Sequence, residues 1–351
     1  MEEKLVFSFI VPCYNAAETL ETAVDSICVE ERFRSKYEIL LVLNGCTDGT
    51  QQIAENLQKK YADVQIRVLE SGKGVSKARN KGIREANGQW LVFLDADDTL
   101  ALDAVKVFLE DLQYAKADFY LYGHRKGVEQ VHILDEGADK YVHDHINVQS
   151  MQAQIIENPT RYMQVWAKLF NRNLVVENQL FFQEELRLAE DSDFTLRYML
   201  SCCHAMFLHD VPVYQYVLSE GSAMRTYDGQ KVEQYIISML ESKKAVEIAN
   251  PQIKKAFEIY ILMHLNIAMV REIFCVENPA GFRAKVKKIQ EIAKREPFAE
   301  CIAQVKISEC GSARMLPILC LKLKVACFAG IIYMIRAKQN SKKEKEETNH
   351  V

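Results

Sequence analysis

The chain has 351 residues, 49% of them hydrophobic and 26% charged, with 44 basic against 48 acidic side chains and a formal net charge of -4. That length suits two domains, or one large domain with an appendage, and the mildly acidic balance excludes the basic footprint of a nucleic-acid-binding chain. Ten scattered cysteines without a C-x-x-C exclude a zinc knuckle or a disulfide framework and suit a reducing, cytoplasmic compartment.

The opening MEEKLVFSFIVPCYN carries two acids and runs straight into an apolar strand, so no signal peptide is expected. Phe7–Val11, then YEILLVLN, VQIRVLE and WLVFLD, are continuous apolar runs rather than alternating ones. Such runs are strands of a parallel sheet covered by helices on both faces. The intervening AAETLETAVDSICVEER, GTQQIAENLQKKY and GVSKARNKGIREAN carry the helical period. The first hundred residues therefore predict a doubly wound α/β half.

From about Ala117 the rhythm changes. ADFYLYGHRK and QVHILDEG read as strands of an antiparallel edge, RYMQVWAKLFNRNLVVENQL and DSDFTLRYMLSC as short helices, and VPVYQYVL as a further strand. Residues 228–297 are helical in period, with segments near 230–248, 252–275 and 281–295. KQNSKKEKEET predicts a disordered tail. In LPILCLKLKVACFAGIIYMIRAK, Lys322 and Lys324 interrupt the apolar run, and the longest uncharged stretch, Val325 to Ile335, is 11 residues. That is too short to span a bilayer. Gly311 to Lys345 holds eight Lys or Arg and one acid, Glu344. A basic, apolar helix suits an anionic membrane surface, and equally a helix packed in a core. The expected organisation is 1–225, a helical region over 226–338, and a tail over 339–351.

Ligands of open parallel sheets bind beyond the carboxyl ends of the strands. Here those ends read PCYN, LNGCTD, ESGKG and DADD. Asp95 and Asp97, two apart at the end of WLVFLD, are spaced to hold a divalent cation, Mg²⁺ or Mn²⁺, shared with phosphate oxygens. Asp98 or Thr99 capping the helix LALDAVKVFLEDL is the plainer reading, and it leaves Asp95 and Asp97 unexplained. GKGVSK follows the third strand and lacks the dinucleotide fingerprint. Lys77 and Arg79 in the helix after it read either as ligand groups or as a solvated face. VFLDADDTL also satisfies D-x-D-x-T and so resembles the first motif of haloacid-dehalogenase phosphatases, with Asp95 as nucleophile. Three strands precede it here, where that family has none.

Taken together, SFIVPCYNAAETLETAVDSI, EILLVLNGCTDGT, GVSKARNKGIREANGQWLVFLDADD, WAKLFNR and AEDSDFTLRYML resemble the inverting glycosyltransferases of family 2, with their GT-A fold. The resemblance covers about the first 225 residues. It implies a nucleotide-sugar donor, a saccharide or lipid-linked acceptor, a divalent cation and work in surface polysaccharide assembly. It implies that Pro12, Tyr14, Asn15, Asn44, Arg79 and Asp95 bind the nucleotide, with Asp97 and Asp95 on the metal. Asp191, with Glu190 beside it, would be the general base, and Trp166 and Lys168 would lie on the acceptor side. One departure stands out. The family often has two acids where this chain has Leu43 and Asn44, which leaves the uridine preference as a default and admits a non-catalytic relative that only binds nucleotide sugars.

Overall fold

The computed structural model describes residues 5–133, 139–202, 204–217 and 227–348. The chain divides into two compact units, the first made of Met1–Met151, Arg161–Glu185 and Glu190–Val217, the second of the remainder. The divide after Val217 precedes the boundary expected at 225.

The predicted βα rhythm is realised as β1 (Phe7–Cys13), α1 (Leu20–Cys28), β2 (Tyr37–Leu43), α2 (Thr50–Lys60), β3 (Gln65–Glu70), α3 (Val75–Glu85) and β4 (Trp90–Phe93). The chain continues with β5 (Thr99–Leu100), α4 (Ala104–Tyr114), β6 (Phe119–Lys126), β7 (Glu129–Val131), β8 (Lys140–Val142) and α5 (His145–Ile156). Then come α6 (Pro159–Tyr162), β9 (Lys168–Asn171), α7 (Arg172–Glu177), α8 (Glu190–Ser201) and β10 (Met206–Tyr216). The strands form one mixed sheet in the order β3-β2-β1-β4-β9-β6-β10-β5, with β7 on β6 and β8 on β10. β1 pairs in parallel with β2, Phe7 opposite Tyr37, and with β4, Phe7 opposite Trp90. Every residue of β1, β2 and β4 is buried. Close packing of α3 on β1 needs Gly82, where a Cβ would fall 2.4 Å from Ile10.

Four expectations need correction. ADFYLYGHRK forms β6, which lies inside the sheet between β9 and β10 and runs parallel to β10, so it is not an antiparallel edge. Lys168–Asn171 is a strand rather than part of a short helix. It is antiparallel to β4, Trp90 opposite Asn171, and to β6, Phe119 opposite Phe170. Strands β4 and β6 would otherwise face each other with unpaired backbone, and four inserted residues satisfy both ladders, which outweighs local helical propensity. Asp98 and Thr99 do not cap α4, since its N-cap position is Asp103. Of QVHILDEG only the start is in a ladder, and residues 134–138 lie outside the described residues.

The second unit is helical, as predicted: α9 (Lys231–Val246), α10 (Pro251–Ala268) with a π-helical turn at Met269–Ile273, α11 (Phe282–Ile292), α12 (Phe298–Gln304), α13 (Leu316–Lys322) and α14 (Ala326–Thr348). The side chain of Asn250 caps α10, accepting from Ile253 N at 2.9 Å, and Pro251 opens its first turn. In the core the Tyr333 hydroxyl donates to Asn266 Oδ1 at 2.7 Å, and Asn266 Nδ2 donates to the Arg314 carbonyl at 3.0 Å. The predicted disordered tail is helical as far as Thr348. No Gly or Pro interrupts residues 331–348, and Lys, Glu and Gln are good helix formers.

Candidate active site

The carboxyl ends of β1 to β4 carry the loops that sequence pattern singles out. After β1, Asn15 sits at φ 48°, a left-handed conformation that asparagine tolerates. Its Oδ1 accepts from Thr47 N at 2.8 Å. Asp48 in turn accepts from Ala17 N at 3.1 Å and Thr50 N at 3.0 Å, so the loops after β1 and β2 are tied together. Pro12 lies in β1 opposite Val42, beyond the residues that pair with β4, where a missing N–H leaves no gap in that ladder. Asn44 is buried, with its N–H donating to the Cys13 carbonyl at 2.9 Å. Tyr14 is 47% exposed, and the Lys73 ammonium lies 5.0 Å from its ring centre. Lys73, from the loop after β3, is a charge at this edge that the sequence reading passed over.

Arg79 joins the rest. Lys77 is exposed, as a solvated face requires, but Arg79 is 97% buried, and its guanidinium reaches three carboxylates. Nη2 donates to Asp95 Oδ1 at 3.0 Å, and Nη1 to Asp191 Oδ1 at 2.5 Å and Glu190 Oε1 at 3.4 Å. Its other face lies 5.3 Å from the centre of the Phe182 ring, which Asn80 holds through both Phe182 N (2.7 Å) and the Phe182 carbonyl (2.9 Å). Residues far apart in sequence thus meet around one cation, with the acids of α8 against the acid turn after β4. Burial, then the neighbouring Asp191 charge, pushes Glu190 up to about 8 against the pull of Arg79, and burial raises Asp191 in the same direction. A carboxylate raised towards neutrality is a stronger base once it is ionised.

Asp97 is exposed on the turn that holds Asp95. Two hard carboxylates on one turn, with substrate phosphates completing the shell, are the donor set that Mg²⁺ or Mn²⁺ takes. Among the described residues no cluster of three or more His, Cys, Asp or Glu side chains could hold a metal unaided. Asp98 points the other way. It accepts from the Tyr214 hydroxyl at 2.6 Å and Val217 N at 2.7 Å, and burial followed by the Asp95 charge raises it to about 8. Asp98→Ala would strand the buried Tyr214 hydroxyl, at about 1–3 kcal/mol, and the half-buried Val217 N–H as well, so it should cost more than Tyr214→Phe, which leaves a single Asp98 oxygen without its donor. Thermal unfolding of both variants checks that ranking.

Trp166 stacks on Tyr214 with ring centres 4.5 Å apart and an interplanar angle of 9°, and His124 meets it edge-on at 4.6 Å. Lys168, fully buried, donates to the Trp166 carbonyl at 3.3 Å. Burial brings it down to about 7 against the attraction of Asp191, and His124 falls to about 4 from burial and the Lys168 charge. His124, Tyr214 and Tyr216 were not foreseen. The alternation in VYQYV, which puts Tyr214 and Tyr216 on one face, was the available signal.

Residues 8–174 match the family described as Glycosyl transferase family 2. The chain carries a glycosyl transferase family 2 domain. The match includes Asp95, Asp97, Trp166 and Lys168, and Glu190 and Asp191 follow it. Poly(ribitol-phosphate) beta-N-acetylglucosaminyltransferase TarS of Staphylococcus aureus is 24% identical over 282 residues, covering 80% of this chain and 46% of that protein. The chain therefore spans about half the length of that curated relative. The crystal structure of TarS 1-349 in complex with UDP-GlcNAc matches at a TM-score of 0.69 and 20% identity, over 96% of this chain and 92% of that one. The mannosyltransferase PcManGT from Pyrobaculum calidifontis, in complex with GDP-Man and Mn²⁺, matches at 0.52 and 15%, over 94% and 86%. These likenesses establish the GT-A fold of the family 2 domain. They also remove the phosphatase reading, because the acid pair ends the fourth strand of a glycosyl transferase sheet and not the first of a phosphatase.

Proposed function

We propose that the protein is an inverting glycosyltransferase that moves a sugar from a nucleoside-diphosphate donor, a UDP-sugar, to a saccharide or lipid-linked acceptor in cell-surface polysaccharide assembly. The observation that carries this is Arg79, which links Asp95 of the acid pair, within the family 2 domain, to Asp191 and Glu190 just beyond it. Tyr14, Asn15, Asn44 and Pro12 form the nucleotide side, and Trp166 with Lys168 the acceptor side. Asp191 takes the proton from the acceptor hydroxyl as that oxygen attacks the anomeric carbon from the face opposite the diphosphate. One displacement inverts the centre and needs no enzyme nucleophile. Arg79 keeps the base aimed, and its charge limits the repulsion among the three acids. A divalent cation, Mn²⁺ or Mg²⁺, held by Asp95 and Asp97 would offset the charge growing on the leaving diphosphate. The free cysteines and the nucleotide-sugar chemistry favour the cytoplasmic side.

The test is a melting series with UDP, GDP, CDP and dTDP, each with and without Mn²⁺, on wild type and Asp97→Ala. Ligand at about 100 times its Kd adds about 2.7 kcal/mol. Stabilisation by UDP that needs both the ion and Asp97 is expected. Indifference to every diphosphate would overturn the donor site, and preference for another base would correct the nucleotide.

A further inference from the structure

Helix α14 buries one face and leaves the opposite one apolar. Ala326, Ala329, Tyr333 and Ala337 are at most 5% exposed and pack inward, and a Cβ at Gly330 would already sit 3.0 Å from Val286. At 100° per residue the opposite side carries Phe328 (63% exposed), Ile331 (41%) and Ile335 (48%). The turn before it adds Leu323 and Val325, both exposed. Exposed Lys324 and Lys338 flank the stripe at either end. Lys322 and Arg336 lie close by and donate to backbone carbonyls, Lys322 to Ala303 at 2.8 Å and Arg336 to Ala313 at 2.6 Å. No Asp or Glu occurs from Gly311 to Lys343.

We infer that this face docks on an anionic lipid bilayer, with α14 lying along the interface. Phe and Ile pointing outward between lysines, with no acid among them, form the pattern of an interfacial helix. Among the described residues no helix is long and apolar enough to cross a membrane, so the contact is with the surface. A second copy fits the face less well, because a twofold contact would bring its lysine rims against each other. The inference deepens the proposed function by placing the enzyme where a lipid-linked acceptor is presented, and for that purpose it rests on that reading.

Flotation of the full chain with phosphatidylcholine vesicles, with and without phosphatidylglycerol, tests it. Wild type should float with the anionic vesicles and far less with the neutral ones. Each Lys324→Glu or Lys338→Glu exchange should weaken partitioning about fivefold or more. The triple variant Phe328→Ser, Ile331→Ser, Ile335→Ser should lose more than tenfold, because the apolar burial is gone. Both sets change exposed side chains, and an unaltered circular dichroism melt verifies the fold. Failure of wild type to float with either vesicle, or floating unchanged by the triple serine variant, overturns the inference. So does a dimer in light scattering that the serine variant abolishes, which assigns the face to a second copy. The UDP melting shift needs no vesicle, so the donor-site reading and the docking reading fail separately.

Discussion

Asp191→Asn is expected to lower sugar transfer by about 10² to 10⁴, the range for losing a general base, while nucleotide binding stays intact. Asparagine keeps the shape and still offers an oxygen to Arg79, so the link to Asp95 survives. What it loses is the ability to hold a proton as the acceptor oxygen attacks. Single-turnover release of UDP, measured beside UDP affinity, separates the two effects: kcat should collapse with Kd for UDP unchanged. Glu190 provides the internal comparison. It sits 3.4 Å from the same guanidinium nitrogen that bonds Asp191 at 2.5 Å, and Glu190→Gln should cost less than Asp191→Asn. Equal turnover in wild type and Asp191→Asn would remove Asp191 from the chemistry and favour a relative that binds nucleotide sugars without transferring them.

Arg79→Met should be the most destabilising single change in the first unit. It removes the one guanidinium that Asp95, Asp191 and Glu190 share, and breaking a buried charge assembly from one side costs about 3–5 kcal/mol. For a unit of this size that is a fall of roughly 10 °C in melting temperature. The sign of its pH dependence follows from the acids left behind. Glu190 and Asp191 already stand above their ordinary range in the presence of Arg79, and without it they would rise further. A carboxylate raised in the folded state contributes stability below its unfolded pKa, near 4, and that contribution is lost as pH rises through the folded value. The melting deficit of Arg79→Met should therefore be smaller at pH 5 than at pH 8. Arg79→Lys should fall between the two, because one ammonium cannot reproduce a fork that reaches three partners. A uniform deficit across pH would mean that the loss is one of packing alone.

The parallel half of the sheet was legible because burial on both faces writes itself as unbroken apolar runs: FSFIVPC, YEILLVL and WLVF each became a strand over those residues. β9 was not legible, since KLFN has no period of its own and becomes a strand only because β4 and β6 both need a partner. The acids of the site could be singled out by type and spacing. Their arrangement could not, because nothing local distinguishes Arg79 from Lys77, and only the fold buries one and exposes the other. Asp98 was obscure for the same reason. Its partners, Tyr214 and Val217, lie more than a hundred residues away, so a helix cap five residues ahead of the true one was the nearest local explanation.

Tyr214 touches both sides of the site: its hydroxyl serves Asp98 in the acid turn, and its ring carries Trp166. For anyone re-engineering acceptor choice, this one strand position is a hazard. If Trp166 lies on the acceptor side, as proposed, a substitution there would also loosen the turn that presents Asp95 and Asp97, trading selectivity against turnover. Under the proposed function, libraries are better aimed at Tyr216 and His124, whose rings border Trp166, leaving Tyr214 as the position common to the acid turn and the Trp166 side.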